Sequence, residues 1–409
     1  MESNYLFKLK DIYRNMCQFN DEKIPLCAAE TFISDFVRQG LSSIYEGKYI
    51  QGYKHRDILS DNIGSDRILP IMNLVEEICQ EQYRSNYVDS RTLSGMNCIA
   101  LSISAVVGKE KPVIITEKNM GGHASLPPIL DNLGISYVGL PYDYDKNEIN
   151  YTELNSMLLS KEYSFIIFCQ SDIIKQPQYE SIVLPENVGL IYDASQTLGL
   201  IGAGLLSNPL DYFYNSLLIG GTHKTIPGPT CGLIMTNNIS YMDKIDSTIS
   251  PTLLRNVQPN NIFSLCLALI EQIEVGKDYQ SNIVETANKL GHYLDDEGID
   301  VVRADDVRYT ETHQLFLRCP NDKLDRIFIR ALNHNVTLNK KKMSLFTGIR
   351  LGVQEIARYR YSEDDLKIAA RIIRLIFDDD NNNDNEIRIA CQQLAKKKKP
   401  YYILDDIFV

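Results

Sequence analysis

The chain has 409 residues with 42 Lys and Arg against 53 Asp and Glu, which gives a net charge of −11, and 44% of its residues are hydrophobic. This composition excludes a chain that is disordered throughout, and the acidic balance argues against a nucleic-acid partner, which requires a clustered basic face. No run approaches the roughly 18 apolar residues of a membrane span, and charged residues interrupt the N-terminus where a signal peptide would be apolar. The nine cysteines have no CxxC spacing, so we expect no metal site. Together these features predict a cytoplasmic protein without a membrane or nucleic-acid partner.

Short apolar runs alternate with amphipathic stretches between about residues 60 and 240. Four runs rich in Ile, Leu and Val are bounded by polar or Gly-bearing turns, at 112–116, 163–170, 188–193 and 231–236. Such runs are typical of strands buried on both faces, and their alternation with helices predicts a mostly parallel sheet. In a sheet of this kind ligands bind at the carboxyl ends of the strands.

The pattern changes beyond about residue 275. In chain order the predicted elements are a helix with an apolar stripe from Ile283 to Leu294 that stops at Gly298, a strand at 313–319, a helix at 363–377, a polar loop or linker at 378–386, and a C-terminal helical stripe followed by apolar residues. These elements predict a second, smaller α+β domain with a tail docked on the body of the protein.

Lys224 lies in the segment GGTHKTIPGPTCG (220–232), among small and rigid residues just before a predicted strand. A phosphate-binding P-loop is excluded because its lysine must follow a glycine, and His223 stands there instead. A surface turn would use the same glycines and prolines. A lysine that forms a Schiff base would need the desolvation and rigid support that this segment offers.

Two further motifs are consistent with the Schiff-base interpretation. Asp193 ends an apolar run. A pyridoxal phosphate site needs a carboxylate at such a position, because it keeps the ring nitrogen protonated. An ordinary capping Asp would fit the same position. In GGHAS (121–125) the glycines permit close approach of the backbone to a ligand, and His123 could stack on a flat ring. An ordinary loop histidine is the alternative.

Five blocks in one order carry a family resemblance: SG (94–95), GGH (121–123), Asp193, THKTIPGP (222–229) and GIRLG (348–352). Together with PLCAAETFIS (25–34) and YIQGY (49–53), they resemble the serine hydroxymethyltransferase group of fold-type I pyridoxal-phosphate enzymes. The resemblance covers about residues 20–375. It implies an α/β fold, with a mostly parallel seven-stranded sheet in a large domain, a smaller α+β C-terminal domain, and a homodimer that shares its active sites. The predicted segments are an N-terminal dimerisation arm (1–50), the large cofactor-binding domain (51–275), the small domain (276–377), and a linker and tail (378–409).

The resemblance also implies roles for the matching residues. Lys224 is expected to hold the cofactor covalently and to form the catalytic group with His123 and Asp193. The other expected cofactor contacts are Ser94, Gly95 and Met96 on a phosphate-binding turn, Ser171 at the ring hydroxyl, His223 beside the lysine, and Tyr49 near the phosphate of the neighbouring subunit. Arg350 is expected to bind the substrate carboxylate as a bidentate fork, which Lys does less well, with Glu30, Gln51 and Gln196 near the substrate.

Four departures from the family pattern affect function. Gln51 replaces an expected catalytic glutamate, Gln196 replaces a histidine three residues after the ring acid, Ala29 replaces a serine before Glu30, and the segment 339–350 lacks a longer loop that frames folate. These losses fall mainly on the folate side. The pattern therefore resembles the folate-independent branch, the L-threonine transaldolases and related enzymes of natural-product pathways.

We therefore predict an enzyme that breaks the Cα–Cβ bond of an L-threonine-like amino acid, releases acetaldehyde, and adds the remaining carbanion to a second aldehyde. Gln51 cannot supply the proton, so His123, His223 or a water molecule would move it. Three alternatives stay open: a folate-dependent hydroxymethyltransferase, a pyridoxal-phosphate enzyme that breaks another Cα bond, and an inactive paralogue that serves as a binding subunit.

Overall fold

The computed structural model describes residues 4–51, 62–143, 148–160, 162–342, 347–378 and 381–405. Residues 52–53 of the YIQGY block and residues 343–346 of the short segment before GIRLG lie outside this description. The described residues form two compact units. The small unit takes its residues from Met1–Ala28, Asn282–Lys342 and Phe346–Tyr401, and the large unit takes its residues from Ala29–Ser281 and from Tyr402 onward.

The strands of the described chain are β1 (Ile24–Pro25), β2 (Tyr87–Asp89), β3 (Val113–Ile115), β4 (Tyr137–Gly139), β5 (Tyr142–Asp143), β6 (Glu148–Ile149), β7 (Phe165–Cys169), β8 (Gly189–Asp193), β9 (Ser216–His223), β10 (Pro227–Thr236), β11 (Gln314–Arg318), β12 (Val336–Thr337), β13 (Asn339–Lys342) and β14 (Thr347–Gly352). All four strands predicted between residues 112 and 236 are confirmed, and the predicted strand at 313–319 corresponds to β11.

The α-helices of the described chain are α1 (Asn4–Glu22), α2 (Asp35–Leu41), α3 (Ser65–Tyr83), α4 (Gly95–Val106), α5 (Leu126–Leu133), α6 (Tyr151–Leu159), α7 (Leu198–Gly202), α8 (Ile239–Thr248), α9 (Pro259–Asp296), α10 (Asn321–Asn333), α11 (Gln354–Arg358), α12 (Glu363–Phe377) and α13 (Asp384–Ala395). The stripe that begins at Ile283 belongs to α9, and Gly298 follows its end with a φ of +78°, as a helix-terminating glycine does. Among the described residues, no helix is both long and apolar enough to cross a membrane.

The large unit contains a seven-stranded sheet in the order β2-β10-β9-β8-β7-β3-β4. Strand β10 runs antiparallel to both of its neighbours, and the pairs from β9 through β4 are parallel. The prediction of a mostly parallel seven-stranded sheet is therefore confirmed. Strand β7 (FIIFC) is buried along its whole length, and β8 (GLIYD) is buried except at its last residue, Asp193. The carboxyl ends of β3, β7, β8 and β9 form one edge, called here the carboxyl edge.

The small unit contains a three-stranded antiparallel sheet in the order β11-β14-β13 and a short parallel pair of β1 with β12. Helix α12 begins with a capping box in which the Ser362 hydroxyl accepts from the Asp365 backbone N–H and the Asp365 carboxylate accepts from the Ser362 backbone N–H. Its apolar face is buried, as its sequence pattern predicts.

The prediction of a loop or linker over 378–386 is wrong for its last three residues, because α13 begins at Asp384. The Asp384 carboxylate accepts hydrogen bonds from Arg330 at 3.0 Å and from the His334 ring at 3.3 Å, and Glu386 accepts from Arg371 at 3.1 Å. Acidic residues in a first helical turn also favour helix formation. A polar composition does not reveal such partners, which are distant in sequence.

The C-terminal tail docks as expected through two of its side chains. The ring of Tyr402 packs at 5.7 Å from the ring of Tyr279, and Leu404 packs against the core of the large unit. The Leu404 backbone N–H also donates to the buried carboxylate of Glu271. Tyr401 and Ile403 are each 39% exposed, so the tail is only partly buried.

Candidate active site

Lys224 lies in the short turn that joins β9 to β10, and hydrogen bonds hold the backbone on both sides of it. Before the lysine, the Thr222 hydroxyl donates to the Pro229 carbonyl at 2.7 Å. After it, the Thr225 hydroxyl donates to the Gln196 carbonyl at 3.1 Å. Lys224 itself is half-buried. The turn therefore places a half-buried lysine on a backbone that is anchored by hydrogen bonds within the large unit.

Asp193 is the last residue of β8 and pairs in register with Cys169, the last residue of β7. Its Oδ1 atom accepts hydrogen bonds from the backbone N–H of Ser195 at 2.9 Å and from the Ser195 hydroxyl at 2.5 Å. Its Oδ2 atom accepts from the Cys169 thiol at 3.3 Å. This half-buried carboxylate is thus fixed at the carboxyl edge by donors from two strand ends.

The positive charge of Lys224 acts on two side chains near Asp193, those of Cys169 and His223. Burial raises the pKa of the Cys169 thiol, the negative charge of Asp193 and its hydrogen bond raise it further, and the positive charge of Lys224 lowers it. Burial also lowers the pKa of His223, and the adjacent charge of Lys224 lowers it further. The Nδ1 atom of His223 is buried and has no hydrogen-bond partner among the described residues. One amine, one carboxylate and a neutral imidazole therefore lie near the ends of β7, β8 and β9.

The N-terminus of α4 faces this group. Ser94 is the N-cap, and its hydroxyl accepts a hydrogen bond from the third residue of the helix at 3.2 Å. A Cβ atom on Gly95 would lie 2.5 Å from the Ser195 hydroxyl oxygen and 3.0 Å from the Gly221 nitrogen, so only glycine permits this close approach. Backbone N–H groups at a helix N-terminus favour a bound anion. Met96, by contrast, is 40% exposed.

The loops that follow β3 and β7 are joined by backbone hydrogen bonds. The His123 N–H donates to the Cys169 carbonyl at 2.7 Å, and the Ser171 N–H donates to the Gly121 carbonyl at 2.9 Å. Gly121 has a φ of +85°, a conformation that side-chain-bearing residues rarely adopt. The Nδ1 atom of His123 accepts from the Ser125 N–H at 3.2 Å, which fixes the ring. His123 and Ser171 are therefore both brought to the end of β7.

The remaining predicted residues of the large unit fall into two groups. Gln196 is buried next to the Asp193 turn, and Gln51 is half-buried and forms an isolated bridge with Asn256. Glu30 and Tyr49 are exposed. The structure thus gathers Lys224, His223, Asp193, Gln196, His123, Ser171, Ser94 and Gly95 at or beside the carboxyl edge, and it leaves Glu30, Tyr49 and Met96 exposed.

Arg350 belongs to the small unit, in the middle strand of the three-stranded sheet. It is 5% exposed, and its Nε and Nη2 atoms donate to the Asn339 side-chain oxygen at 3.2 and 2.7 Å. Asn339 is its register partner on β13. A neutral amide oxygen orients the guanidinium without cancelling its charge, which suits a residue that binds a carboxylate.

Sequence reasoning missed Ser195 and Cys169, which both contact Asp193. A serine two residues after an aspartate at a strand end is a signal for a local turn in which the carboxylate accepts its hydrogen bonds. Cys169 was interpreted only as part of an apolar run, and its place beside Asp193 follows from strand register, which the sequence does not reveal.

The residues present fit pyridoxal phosphate. The cofactor needs an amine, a carboxylate for its ring nitrogen, a flat contact for the ring and an anion-binding turn for its phosphate. Lys224, Asp193, His123 and the start of α4 have these chemistries, and the buried Nδ1 atom of His223 beside them has no protein partner in the described chain. This fold and this set of groups define a fold-type I pyridoxal-phosphate enzyme.

Comparison with known proteins identifies the family. The model of the family described as serine hydroxymethyltransferase matches residues 5–373, and the chain belongs to this family of pyridoxal-phosphate-dependent transferases. A serine hydroxymethyltransferase from Methanothermobacter marburgensis is 25% identical over 94% of this chain and 93% of the relative. A fluorothreonine transaldolase from Streptantibioticus cattleyicolor is 28% identical over 86% of this chain and 57% of the relative.

The fold is also found in a solved structure. The crystal structure of L-threonine transaldolase from Pseudomonas fluorescens, in its internal aldimine state, superposes with a TM-score of 0.87 over 97% of this chain and 92% of that chain, at 22% identity. This likeness confirms the predicted fold class, and the family match confirms the resemblance stated from the sequence.

Proposed function

We propose that this chain is a folate-independent aldolase or transaldolase that acts on the Cα–Cβ bond of an L-threonine-like amino acid. It would release acetaldehyde and join the remaining glycine unit to a second aldehyde. The observation that carries this proposal is the loss of two titratable groups, because Gln51 and Gln196 stand where the family pattern implies glutamate and histidine. A carboxamide does not exchange a proton near neutral pH, so the folate-dependent step loses its acid while the cofactor-binding groups remain.

Within this proposal the large unit binds the cofactor, which when bound supplies an electron sink for negative charge at the substrate Cα. The amine of Lys224 would hold it, and Asp193 would accept the ring N–H. The N–H groups at the start of α4, near Ser94 and Gly95, would receive the phosphate. His123 would lie against the ring. The Ser171 hydroxyl, which donates to the Asp172 carboxylate at 3.3 Å, would turn to donate to the ring hydroxyl.

Arg350 is proposed to bind the carboxylate of the amino acid. A bidentate pair holds both oxygens of the substrate carboxylate. With the amino nitrogen held at the cofactor, this restricts rotation about the N–Cα bond and so determines which Cα substituent is presented for cleavage. Asn339 maintains the orientation of the guanidinium. This restriction gives Arg350 a role in reaction choice as well as in affinity.

His223 is the proposed carrier of the hydroxyl proton. Cleavage of threonine requires that its hydroxyl lose a proton as the C–C bond breaks, and addition of the second aldehyde returns one proton to the new hydroxyl. Because its pKa is lowered by burial and by Lys224, His223 is neutral near pH 7 and able to accept. The Nδ1 atom of His123 is already occupied by the Ser125 N–H.

We also propose a cytoplasmic homodimer that associates through α1. This 19-residue helix exposes a run of large apolar side chains, with Tyr5 81%, Ile12 66% and Tyr13 70% exposed. Patches of this kind are typical of interaction sites. Ile12→Asp should shift the dimer toward monomer in sedimentation analysis, while Arg14→Ala on the same helix should not. A dimer unaffected by Ile12→Asp would exclude α1 as the interface.

The test of the activity is acetaldehyde release from L-threonine by the pyridoxal-phosphate-loaded enzyme without folate. Release that rises when an aromatic aldehyde is added is the expected result for a transaldolase. Release that is indifferent to the aldehyde would indicate a simple aldolase. No release with threonine would contradict the proposal, and the Lys224→Ala protein provides the blank.

A folate-dependent hydroxymethyltransferase is the second candidate, because the matching family model carries that name. It predicts that serine turnover depends on tetrahydrofolate. Measurement of serine cleavage with and without tetrahydrofolate, on the same preparation, separates the two functions. Strong stimulation by folate would overturn the folate-independent proposal.

A further inference from the structure

The hydrogen bonds around Asp193 leave one place for a further donor. Each carboxylate oxygen has two lone-pair directions. Both directions of Oδ1 are taken by Ser195, through its backbone N–H and its hydroxyl. Oδ2 accepts from the Cys169 thiol alone among the contacts described for it, and a thiol is a weak donor. Oδ2 is therefore the oxygen best able to accept a strong hydrogen bond from a bound ring.

We infer that Ser195 and Cys169 are positioning residues that keep the Asp193 carboxylate turned so that Oδ2 meets the ring nitrogen of the cofactor. The inference rests on the proposed role of Asp193 as the partner of that nitrogen. Neither residue needs to touch the substrate, because both act through Asp193.

Ser195 also connects Asp193 to the two other parts of the cofactor site. Its hydroxyl oxygen accepts from the Gly221 N–H at 2.9 Å, on the strand that leads to Lys224. The same oxygen lies 2.5 Å from the place where Gly95 would carry a Cβ atom, at the phosphate-binding turn. One hydroxyl thus links the ring acid to the lysine strand by hydrogen bonds and lies against the start of α4.

Three groups beside Asp193, namely the Cys98 and Cys169 thiols and the Tyr192 phenol, keep their protons near pH 7. Burial is the main cause that raises the pKa of the thiols of Cys98 and Cys169, and it raises the pKa of the Tyr192 phenol to about 12. Asp193 adds to each of these shifts, and Lys224 opposes the shift at Cys169. Cys169 therefore keeps its S–H proton and remains a donor to Oδ2.

The test measures protonation of the ring nitrogen directly. Wild-type protein and the variants Ser195→Ala, Cys169→Ala, Asp193→Asn and Ser216→Ala are loaded with nitrogen-15-labelled pyridoxal phosphate, and the ring resonance is recorded by NMR near neutral pH. Ser216 is a matched control, because it is a buried serine on β9 whose hydroxyl donates to the Phe213 carbonyl. The same samples are used to measure kcat and KM with L-threonine as the varied substrate.

Without the Ser195 hydroxyl the Asp193 carboxylate is held less firmly, so its Oδ2 contact with the ring nitrogen weakens and the ring loses its proton more readily. We expect Ser195→Ala to move the resonance toward its unprotonated position and to lower kcat by about tenfold or more with a smaller change in KM. Cys169→Ala should move it less in the same direction, and Ser216→Ala should not move it. The Cys169→Ala result keeps the inference testable if Ser195→Ala does not fold.

The outcomes separate this inference from the proposed function. A resonance moved by Asp193→Asn but not by Ser195→Ala or Cys169→Ala would overturn the positioning role and leave Asp193 in place. A resonance unmoved by Asp193→Asn would overturn the assignment of Asp193 itself, together with this inference.

Discussion

Two regions of the large unit both contain predicted site residues. One is fixed by hydrogen bonds within the chain, and the other lies on the surface. At the carboxyl edge, Asp193, His123 and the Lys224 turn are fixed by hydrogen bonds to neighbouring strand ends and loops. Glu30 and Tyr49 are exposed instead. The residues at the carboxyl edge are therefore held in place by hydrogen bonds within one chain, whereas Glu30 and Tyr49 lie on its surface.

Lys224→Ala tests the carboxyl edge, and we expect it to have the largest effect on activity. Loss of the amine should abolish covalent attachment of the cofactor and lower turnover by about a thousandfold or more. Borohydride treatment followed by mass spectrometry would detect the attached cofactor in wild type and not in the variant. A cofactor still attached in Lys224→Ala would show that another residue holds it.

Arg350→Lys probes the small unit. Replacing the fork by a point charge should weaken binding of the amino acid by about 1–3 kcal/mol, or roughly 5–150-fold in KM. Steady-state kinetics with the amino acid as varied substrate measure the change, and cofactor content should remain at the wild-type level. An unchanged KM would remove Arg350 from substrate binding.

Gly95→Ala tests whether the carboxyl edge is as closely packed as the distances indicate. The added methyl group would meet the Ser195 hydroxyl and the Gly221 backbone, both of which are hydrogen-bonded, so cofactor binding should weaken by about 1–3 kcal/mol. Gly108→Ala is the control, because its methyl group would meet only the end of the exposed Glu110 side chain. Equal cofactor affinity in both variants would contradict close packing at this edge.

The smallest expected effect is on the titration of His223. Its pKa lies below the ordinary value of 6.5, mainly through burial and secondarily through Lys224. In the cofactor-free protein, Lys224→Ala removes the second cause, so the midpoint should rise while staying below the ordinary value. Because protonation of His223 is disfavoured in the folded state, the free energy of unfolding decreases as the pH falls below the ordinary histidine value of 6.5. NMR titration of the histidine ring measures the midpoint, and a fall in Lys224→Ala would contradict the proximity of the two charges.

The sequence predicts those parts of the fold and site that depend on local pattern. Buried strands, the 363–377 helix and the Lys224 and Gly-Gly-His motifs are all continuous in the chain. The early start of α13 depends on Arg330 and Arg371, which are distant in sequence. The contact of Cys169 with Asp193 depends on the register of β7 with β8. Both therefore required the three-dimensional structure.

Isotope tracing shows directly whether the glycine unit of threonine is transferred to a second aldehyde. L-Threonine labelled with carbon-13 at its carboxyl carbon and Cα is incubated with the loaded enzyme and an unlabelled aromatic aldehyde, without folate. We predict a β-hydroxy amino acid that carries both labels in its glycine unit, with unlabelled acetaldehyde as the co-product. Labelled carbon dioxide, or acetaldehyde and glycine with no labelled aromatic product, would contradict transfer to a second aldehyde.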